Sequence, residues 1–292
     1  MSYSIYPKLR AIYSFIPTSG DIESLRMAEG VPEFKNRLER MVFIKRFPLP
    51  GEDLEDFLKI VPFSLAGKVV KSIPGSSALF FDIYLKIYEL IDIKEIINGG
   101  EGFFVEEFRG KSFEMEDLNN HMQKGFWKNC WNSGFLRYKE THNKTDIQVT
   151  LDRCYYTLLL DGVSNLPSGE ASETEEFIIT LINFKNKLWL NRLKKFYNLQ
   201  DFEIKRFLIP AGNVYENFAE EEGISEYEFI KEFKALCYRD FKFRMYSMRS
   251  ILAFFFLFNF KINEILSIYR AKLLTLDSER FRGIWEELHV GS

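Results

Sequence analysis

The chain has 292 residues, of which 46% are hydrophobic and 28% charged, a composition that suits a folded protein with a large apolar core and excludes a disordered one. The net charge is −3 and acidic and basic residues are interspersed, so no sustained basic stripe points to nucleic acid as a partner. The aromatic content is high, with 30 Phe, 14 Tyr and 4 Trp, which indicates a stiff body or an adhesive surface.

The N-terminus and the cysteines favour a cytoplasmic protein. The first residues lack the long apolar core and the cleavage site of a signal peptide. Cys130, Cys154 and Cys237 are odd in number, far apart and without a CxxC pair, which favours a reducing compartment over a framework of close bridges. The longest apolar run, residues 250–260, is too short for the ~20 residues of a membrane span, so we expect a buried helix and only peripheral membrane association.

The proline and glycine residues that are expected to break helices are unevenly distributed along the chain. Prolines are frequent in the first quarter and absent after Pro210, so short helices are expected before long ones. The predicted breaks fall in five places, namely Pro48-Leu49-Pro50-Gly51, Pro74-Gly75-Ser76, Gly99-Gly100, residues 161–169 and Pro210-Ala211-Gly212-Asn213.

Helical periodicity dominates between these breaks. One apolar stripe comprises Phe80, Ile83, Ile87 and Leu90, and a longer one comprises Ile251, Phe255, Phe258, Ile262, Ile265 and Tyr269. Ser172 and Ser225 are each followed three residues later by glutamate, the form of a capping box, so helices are expected to begin near both. Alternation of apolar and polar residues with period two, which is typical of strands, is confined to short segments such as residues 146–150. The sequence therefore predicts an all-α fold.

A long helix recurs three times, in segments that begin at Tyr88, Lys185 and Ile262. In the second copy Asn186 precedes Arg192 and Lys194, in the third Glu264 precedes Arg270 and Lys272 at the same spacing, and in the first Asp92 leads only to Asn98 and Gly100. The copies are too far apart for a solenoid with a period of about 20 to 50 residues. We therefore predict three helical repeats, at residues 1–111 (divergent), 112–212 and 213–292.

The basic residues of this signature, Arg192, Lys194, Arg270 and Lys272, could contact a partner. However, residues six and eight positions after the leading one do not share a helix face with it. Basic residues near helix C-termini also favour the helix dipole. The pattern therefore indicates a structural role, and the residues that bind partners remain unknown.

Other candidate sites give no catalytic, cofactor or metal assignment. Trp127 and Trp131, four residues apart, are expected in the core. His121, His142 and His289 have no metal-ligand spacing. The acidic clusters Glu220-Glu221-Glu222 and Glu114-x-Glu116-Asp117 are typical of solvated surface.

Gly99-Gly100-Glu101-Gly102 lacks the Lys-Ser/Thr ending of a phosphate loop and predicts a turn. Asn143-Lys144-Thr145 has the form of a glycosylation acceptor but is expected to stay unmodified without a secretory signal.

The succession of these motifs resembles the C/d family of central-stalk proteins in V/A-type (vacuolar/archaeal-type) ATPases and ATP synthases. Besides the polar residue followed by Arg-x-Lys, the resemblance rests on Tyr6-Pro7-Lys8-Leu9-Arg10-Ala11, Leu151-Asp152-Arg153-Cys154-Tyr155-Tyr156, Phe207-Leu208-Ile209-Pro210-Ala211-Gly212 and the stretch from Met248 to Leu274. The first copy of the helix departs from the pattern because it lacks Arg-x-Lys, and the third has Glu264 where Asn is common.

This resemblance implies a funnel-like all-α protein of three pseudo-symmetric parts and no catalytic activity. It would be the central-stalk connector of a rotary ATPase, lying on the cytoplasmic face of the membrane between the proteolipid ring and the axle subunits of D and F type. There it would transmit torque for ATP-coupled proton or sodium transport, without a cofactor of its own. The alternatives are an unrelated all-helical protein-interaction adaptor, and an all-α enzyme, which would need convergent polar groups around a cavity.

Overall fold

The computed structural model describes residues 5–42, 44, 47, 54–73, 75–196, 199–244 and 246–274. The helices in chain order are α1 (Ile5–Tyr13), α2 (Ser19–Arg26), α3 (Val31–Glu39), α4 (Leu54–Val70), α5 (Ser76–Ile97), α6 (Met115–His121), α7 (Lys128–Thr141), α8 (Lys144–Gly162), α9 (Ser168–Phe196), α10 (Asp201–Ile204), α11 (Asn213–Glu216), α12 (Glu226–Phe243) and α13 (Met248–Leu273), with a 3-10 turn at Val163–Asn165. The described ranges contain no strand, and the all-α prediction is confirmed.

The chain divides into two compact units. One consists of Met1–Pro74 together with Glu226–Ser292, and the other of Gly75–Ser225. This division concerns spatial compactness, whereas the three predicted repeats concern internal similarity, so the repeats at 1–111, 112–212 and 213–292 stay a prediction.

In the first unit, α13 is the central core helix. It packs against α12 and α4 and also touches α1, α2 and α3. The six residues of its predicted apolar stripe are all buried, with Phe255 and Ile265 fully inaccessible. α13 is long and apolar enough to cross a membrane by length and composition alone, but 61% of its most apolar window is buried inside the protein. The prediction of a buried helix here is therefore confirmed.

In the second unit, α7 and α8 form a helical hairpin and α5 packs against α8. Phe80 and Leu90 of the predicted stripe on α5 are buried. Trp127 and Trp131 are both fully buried at the start of the hairpin, and the Trp131 indole donates a hydrogen bond to Oδ1 of Asn119 at 2.9 Å. The core interpretation of this tryptophan pair is confirmed.

Several predicted boundaries can be compared with the observed helices. α12 begins at Glu226, directly after Ser225, as predicted. The expected start near Ser172 is wrong, because α9 begins one turn earlier at Ser168, where the carbonyl of Pro167 accepts the amides of residues 170 and 171. The predicted break at residues 48–51 and the end of the third copy beyond Leu274 lie outside the described residues.

Two cysteines of the second unit are joined, contrary to the expectation from their spacing. Cys130 on α7 and Cys154 on α8 form a disulfide with their Cα atoms 6.0 Å apart, across a sequence separation of 24 residues. Cys237, in the first unit, is a buried free thiol, and burial raises its pKa. The disulfide covalently links the two helices of the hairpin.

Candidate functional site

The leading residues of the recurring helix anchor the polypeptide that follows it. Asp92, on α5, is completely buried, and its carboxylate accepts hydrogen bonds from the amides of Phe103 (2.7 Å), Phe104 (3.0 and 2.8 Å) and Val105 (2.8 Å). Hydrogen bonds to an ionised carboxylate are stronger than neutral ones, so Asp92 fixes the loop after α5.

Asn186, on α9, performs the same task in the second copy with different chemistry. Its Nδ2 donates to the carbonyl of Ile209 at 3.0 Å, and its Oδ1 accepts from the amide of Ile209 at 2.8 Å. The side chain is completely buried, so this pair of bonds satisfies a backbone donor and acceptor that water cannot reach. Asn186 thus holds the turn after α9 against the helix.

The same turn explains the glycine in Phe207-Leu208-Ile209-Pro210-Ala211-Gly212. Gly212 has φ +79°, in the left-handed region, and a Cβ built there would lie 2.3 Å from Oδ1 of Asn183. That oxygen accepts the amide of Val214 at 3.2 Å. Next to the turn, Leu190, Ile204 and Leu208 form a buried apolar cluster. The turn therefore has two side-chain anchors on α9 and a small hydrophobic core of its own.

The third copy differs, because Glu264 lies among cations of the first unit. Its carboxylate pairs with Arg26 at 2.9 Å and with Lys261 at 3.2 Å. Lys234 also lies in this cluster, where burial lowers its pKa and the charge of Glu264 raises it less strongly. Glu264 is thus a charge partner rather than a backbone anchor.

The basic residues of the signature fall into two groups. Arg270 pairs with Glu55 at 2.7 Å, and Lys272 donates to the backbone carbonyl of Arg26 at 2.8 Å, so both contact their own unit. Arg192 and Lys194 are exposed near the end of α9. These contacts favour the structural interpretation of Arg270 and Lys272, which stays a prediction for all four residues.

The opening motif caps a helix at the other end of the chain. Tyr6 donates its hydroxyl proton to the carbonyl of Phe241 at 2.7 Å. The Arg10 guanidinium donates to the carbonyls of Phe241 (3.0 Å) and Lys242 (2.9 Å) and to the Tyr6 hydroxyl (2.8 Å). The last carbonyls of a helix lack partners within it, and a cation is favourable there. Tyr6 and Arg10 therefore fasten α1 to the C-terminal end of α12.

The motif Leu151-Asp152-Arg153-Cys154-Tyr155-Tyr156 connects α8 with its neighbours. Asp152 pairs with Lys94 at 2.7 Å, and Tyr155 donates its hydroxyl proton to the carbonyl of Tyr84 at 3.0 Å. Burial raises the pKa of Tyr155 well above its ordinary value, so the hydroxyl stays a donor. Two of the motif's side chains thus join α8 to α5.

The remaining candidates have structural or solvent-exposed surroundings. Glu221 pairs with Lys187 at 3.0 Å, and the acidic residues around Glu116 are exposed at the start of α6. His121 lies 2.6 Å from Glu107. Asn143 caps α8 by accepting the amide of Thr145 at 3.0 Å. Gly99, with φ +91°, lies in the turn after α5, as predicted. Within the described ranges, no group of three or more His, Cys, Asp or Glu side chains could hold a metal ion.

The sequence identified several of these residues but not the groups that they bind. It singled out Asp92 only as the leading residue of a degraded copy, although its carboxylate accepts four backbone hydrogen bonds. It did not identify Asn183, whose spacing of three residues from Asn186 was the available signal.

The turn held by Asn183 and Asn186 lies within a segment that matches a known protein family. Residues 106–222 match the model of a family described as ATP synthase (C/AC39) subunit. The predicted family is confirmed over that segment. Among curated proteins, no sequence matches the chain significantly.

The segment that matches the C/AC39 family covers much of the second unit but not α5. It includes the α7–α8 hairpin, all of α9, and the turn that Asn183 and Asn186 hold. The opening motif at Tyr6 and the stretch from Met248 lie outside it, so their resemblance rests on the residues alone.

Proposed function

We propose that this protein is the non-catalytic central-stalk subunit of a V/A-type rotary ATPase, where it links the axle to the proteolipid ring and transmits torque. The match of residues 106–222 to the ATP synthase (C/AC39) subunit family is the observation that carries this proposal. On this proposal other subunits carry out the reactions of ATP and conduct the ions.

A torque-transmitting subunit must deform little under load. Close-packed interiors have low compressibility and pass displacement on. In this chain two loops that follow long helices are held by hydrogen bonds to the buried side chains of Asp92 and Asn186, in addition to apolar packing. Anchored loops of this kind support a stiff body, because loops without such bonds open locally at low free-energy cost.

The partners and the location proposed for the protein are those expected from the resemblance. They are axle subunits of D and F type on one side and the membrane proteolipid ring on the other, with the protein peripheral on the cytoplasmic face. We also propose three pseudo-symmetric parts forming a funnel, because three similar surfaces around an axis would suit a rotationally symmetric ring.

Co-purification in mild detergent tests the proposal against an unrelated helical adaptor. Tagged protein should recover axle and proteolipid subunits in fixed ratio. As a matched pair, Asn186→Ala should reduce this recovery by loosening the turn after α9, whereas Asn217→Ala, an exposed asparagine with only a local bond to Asn213, should not. Recovery of a different complex that lacks both subunits would overturn the proposal.

A further inference from the structure

The turn between α12 and α13 carries exposed aromatic and basic side chains, and we refer to Tyr238, Arg239, Lys242, Phe243 and Tyr246 as the cationic aromatic corner. Phe243 is 70% exposed, Tyr238 49% and Tyr246 41%. Among the described residues these are the aromatic side chains that remain exposed, and they lie within nine positions of one another, which indicates an interaction surface.

The surroundings of the corner are positively charged. Between residues 238 and 249 the sequence has one acidic residue, Asp240, against four basic ones, and residues 5–18 of the adjoining α1 and its following turn contain Lys8 and Arg10 but no acid. Asp240 is itself buried, and its carboxylate pairs with Arg249 at 2.7 Å and lies 3.6 Å from Arg244 and 3.9 Å from Arg239 of the corner. The corner therefore carries a net positive charge, which suits an anionic partner.

The corner is also held in place by the rest of its unit. Tyr6 and Arg10 bind the carbonyls of Phe241 and Lys242 from beneath, and the Tyr246 ring packs 5.0 Å from that of Tyr6. Tyr246 has φ 68°, in the left-handed region that residues other than glycine rarely adopt. Such a backbone conformation persists only where the surrounding structure imposes it. The ammonium of Lys242 lies 5.2 Å from the Phe243 ring centroid, so charge and apolar surface are adjacent.

We propose that the cationic aromatic corner binds anionic lipid headgroups at the membrane surface. Aromatic side chains are favoured at the level of the headgroups, and each basic residue near an anionic surface contributes about 1 kcal/mol. An acidic protein segment would be the rival occupant. However, lysine is depleted from the cores of protein interfaces, and Lys242 lies between the two most exposed rings.

This inference rests on the proposed function for the presence of a membrane nearby, but its test needs only this 292-residue chain. Purified protein is mixed with vesicles of phosphatidylcholine alone or with about one third phosphatidylserine, and the bound fraction is measured by flotation. We expect binding to the anionic vesicles only, with a marked loss between about 0.1 M and about 0.5 M salt.

The deciding variant is the double change Lys242→Glu with Phe243→Ser, because both side chains are exposed. It should lower the partition coefficient at least about tenfold, since each charge near the surface changes binding by about fivefold. The matched control, Lys124→Glu with Leu136→Ser, makes the same kinds of change at exposed sites of the second unit and should bind like the parent.

Three outcomes would overturn the inference. They are no binding of the folded parent to anionic vesicles, equal binding to neutral vesicles, or an equal loss in the control. If the parent does not bind vesicles, and the double variant no longer recovers axle or ring subunits in co-purification, the corner binds an acidic protein instead. If vesicle binding holds but no rotary-ATPase subunit is ever recovered, the proposed function fails and the lipid site stands.

Discussion

Asn186 and Ile209 form a two-way connection in which one buried side chain amide donates to and accepts from the same backbone residue 23 positions away. This connection closes the loop after α9 without a regular secondary structure. Because an amide side chain offers both a donor and an acceptor, asparagine fits this position better than aspartate or leucine of similar size.

Replacing Asn186 by alanine should therefore lower the free energy of unfolding by about 3 kcal/mol, because it leaves a buried N–H and C=O of Ile209 without partners. Urea unfolding measures this loss. Asn217→Ala serves as the control and should cost less than about 0.5 kcal/mol, since Asn217 is exposed. Equal midpoints for the two variants would contradict the role of the anchor.

Gly212 provides a second test of the same turn. Gly212→Ala places a Cβ 2.3 Å from Oδ1 of Asn183 at a φ of +79°, so both the backbone and the neighbouring side chain must adjust, at a cost of about 2 kcal/mol or more. Gly169→Ala, in the first turn of α9 with open space around it, should instead gain up to about 1 kcal/mol. Thermal unfolding of the two variants should therefore shift in opposite directions.

Asp92 should be sensitive to the loss of one carboxylate oxygen. Asp92→Asn keeps the shape of the side chain but removes an acceptor and introduces donors opposite the amides of residues 103–105, which should cost about 2–3 kcal/mol. Asp82→Asn, at an exposed position of the same helix, should be nearly neutral. Faster hydrogen exchange of the amides of residues 103–105 in the first variant alone would locate the effect in the loop.

The helices themselves were largely predictable from the sequence, because apolar periodicity is a local property. The stripe from Ile251 to Tyr269 lies on one face of α13 and is buried as expected. Sequence also identified Asn186 and Asp92 as special positions on recurring helices. It could not name their partners, since Ile209 and residues 103–105 approach them only through the path of the intervening chain.

The failures have equally specific causes. At Ser172 the serine and glutamate spacing matched a helix start, but Pro167 and Ser168 offered an earlier one that extended the helix by a turn. The pairing of Cys130 with Cys154 depends on the antiparallel packing of α7 and α8, which cysteine spacing alone does not encode.

The pair of Glu55 and Arg270 should make stability depend on pH in the acid range. The hydrogen bond from Arg270 is the main cause that lowers the pKa of Glu55 from 4.5 to about 2. A carboxyl with a depressed folded-state pKa stabilises the fold above its unfolded pKa and loses that contribution as pH falls through the folded value. The contribution is thus present above about pH 4.5 and disappears towards pH 2.

Arg270→Gln should accordingly reduce stability at neutral pH by less than about 1 kcal/mol, since the arginine is half exposed, and the difference from the parent should vanish towards pH 2. Acid titration followed by circular dichroism checks this. Arg137→Gln, an exposed arginine of α7, should leave the acid profile unchanged. A difference from the parent that grows below pH 4 would show that the sign is wrong.

The disulfide gives the last prediction. A bridge that closes a separation of 24 residues should add about 3 kcal/mol to the stability of the oxidised protein by restricting the unfolded chain. A reductant should therefore lower the unfolding midpoint of the parent and leave that of Cys130→Ser with Cys154→Ser unaffected. Cys237 provides an internal reference, because its buried thiol, with a raised pKa, should resist alkylation until the protein unfolds. Two fast-reacting thiols in the folded, oxidised protein would show that the α7–α8 hairpin is held by packing alone.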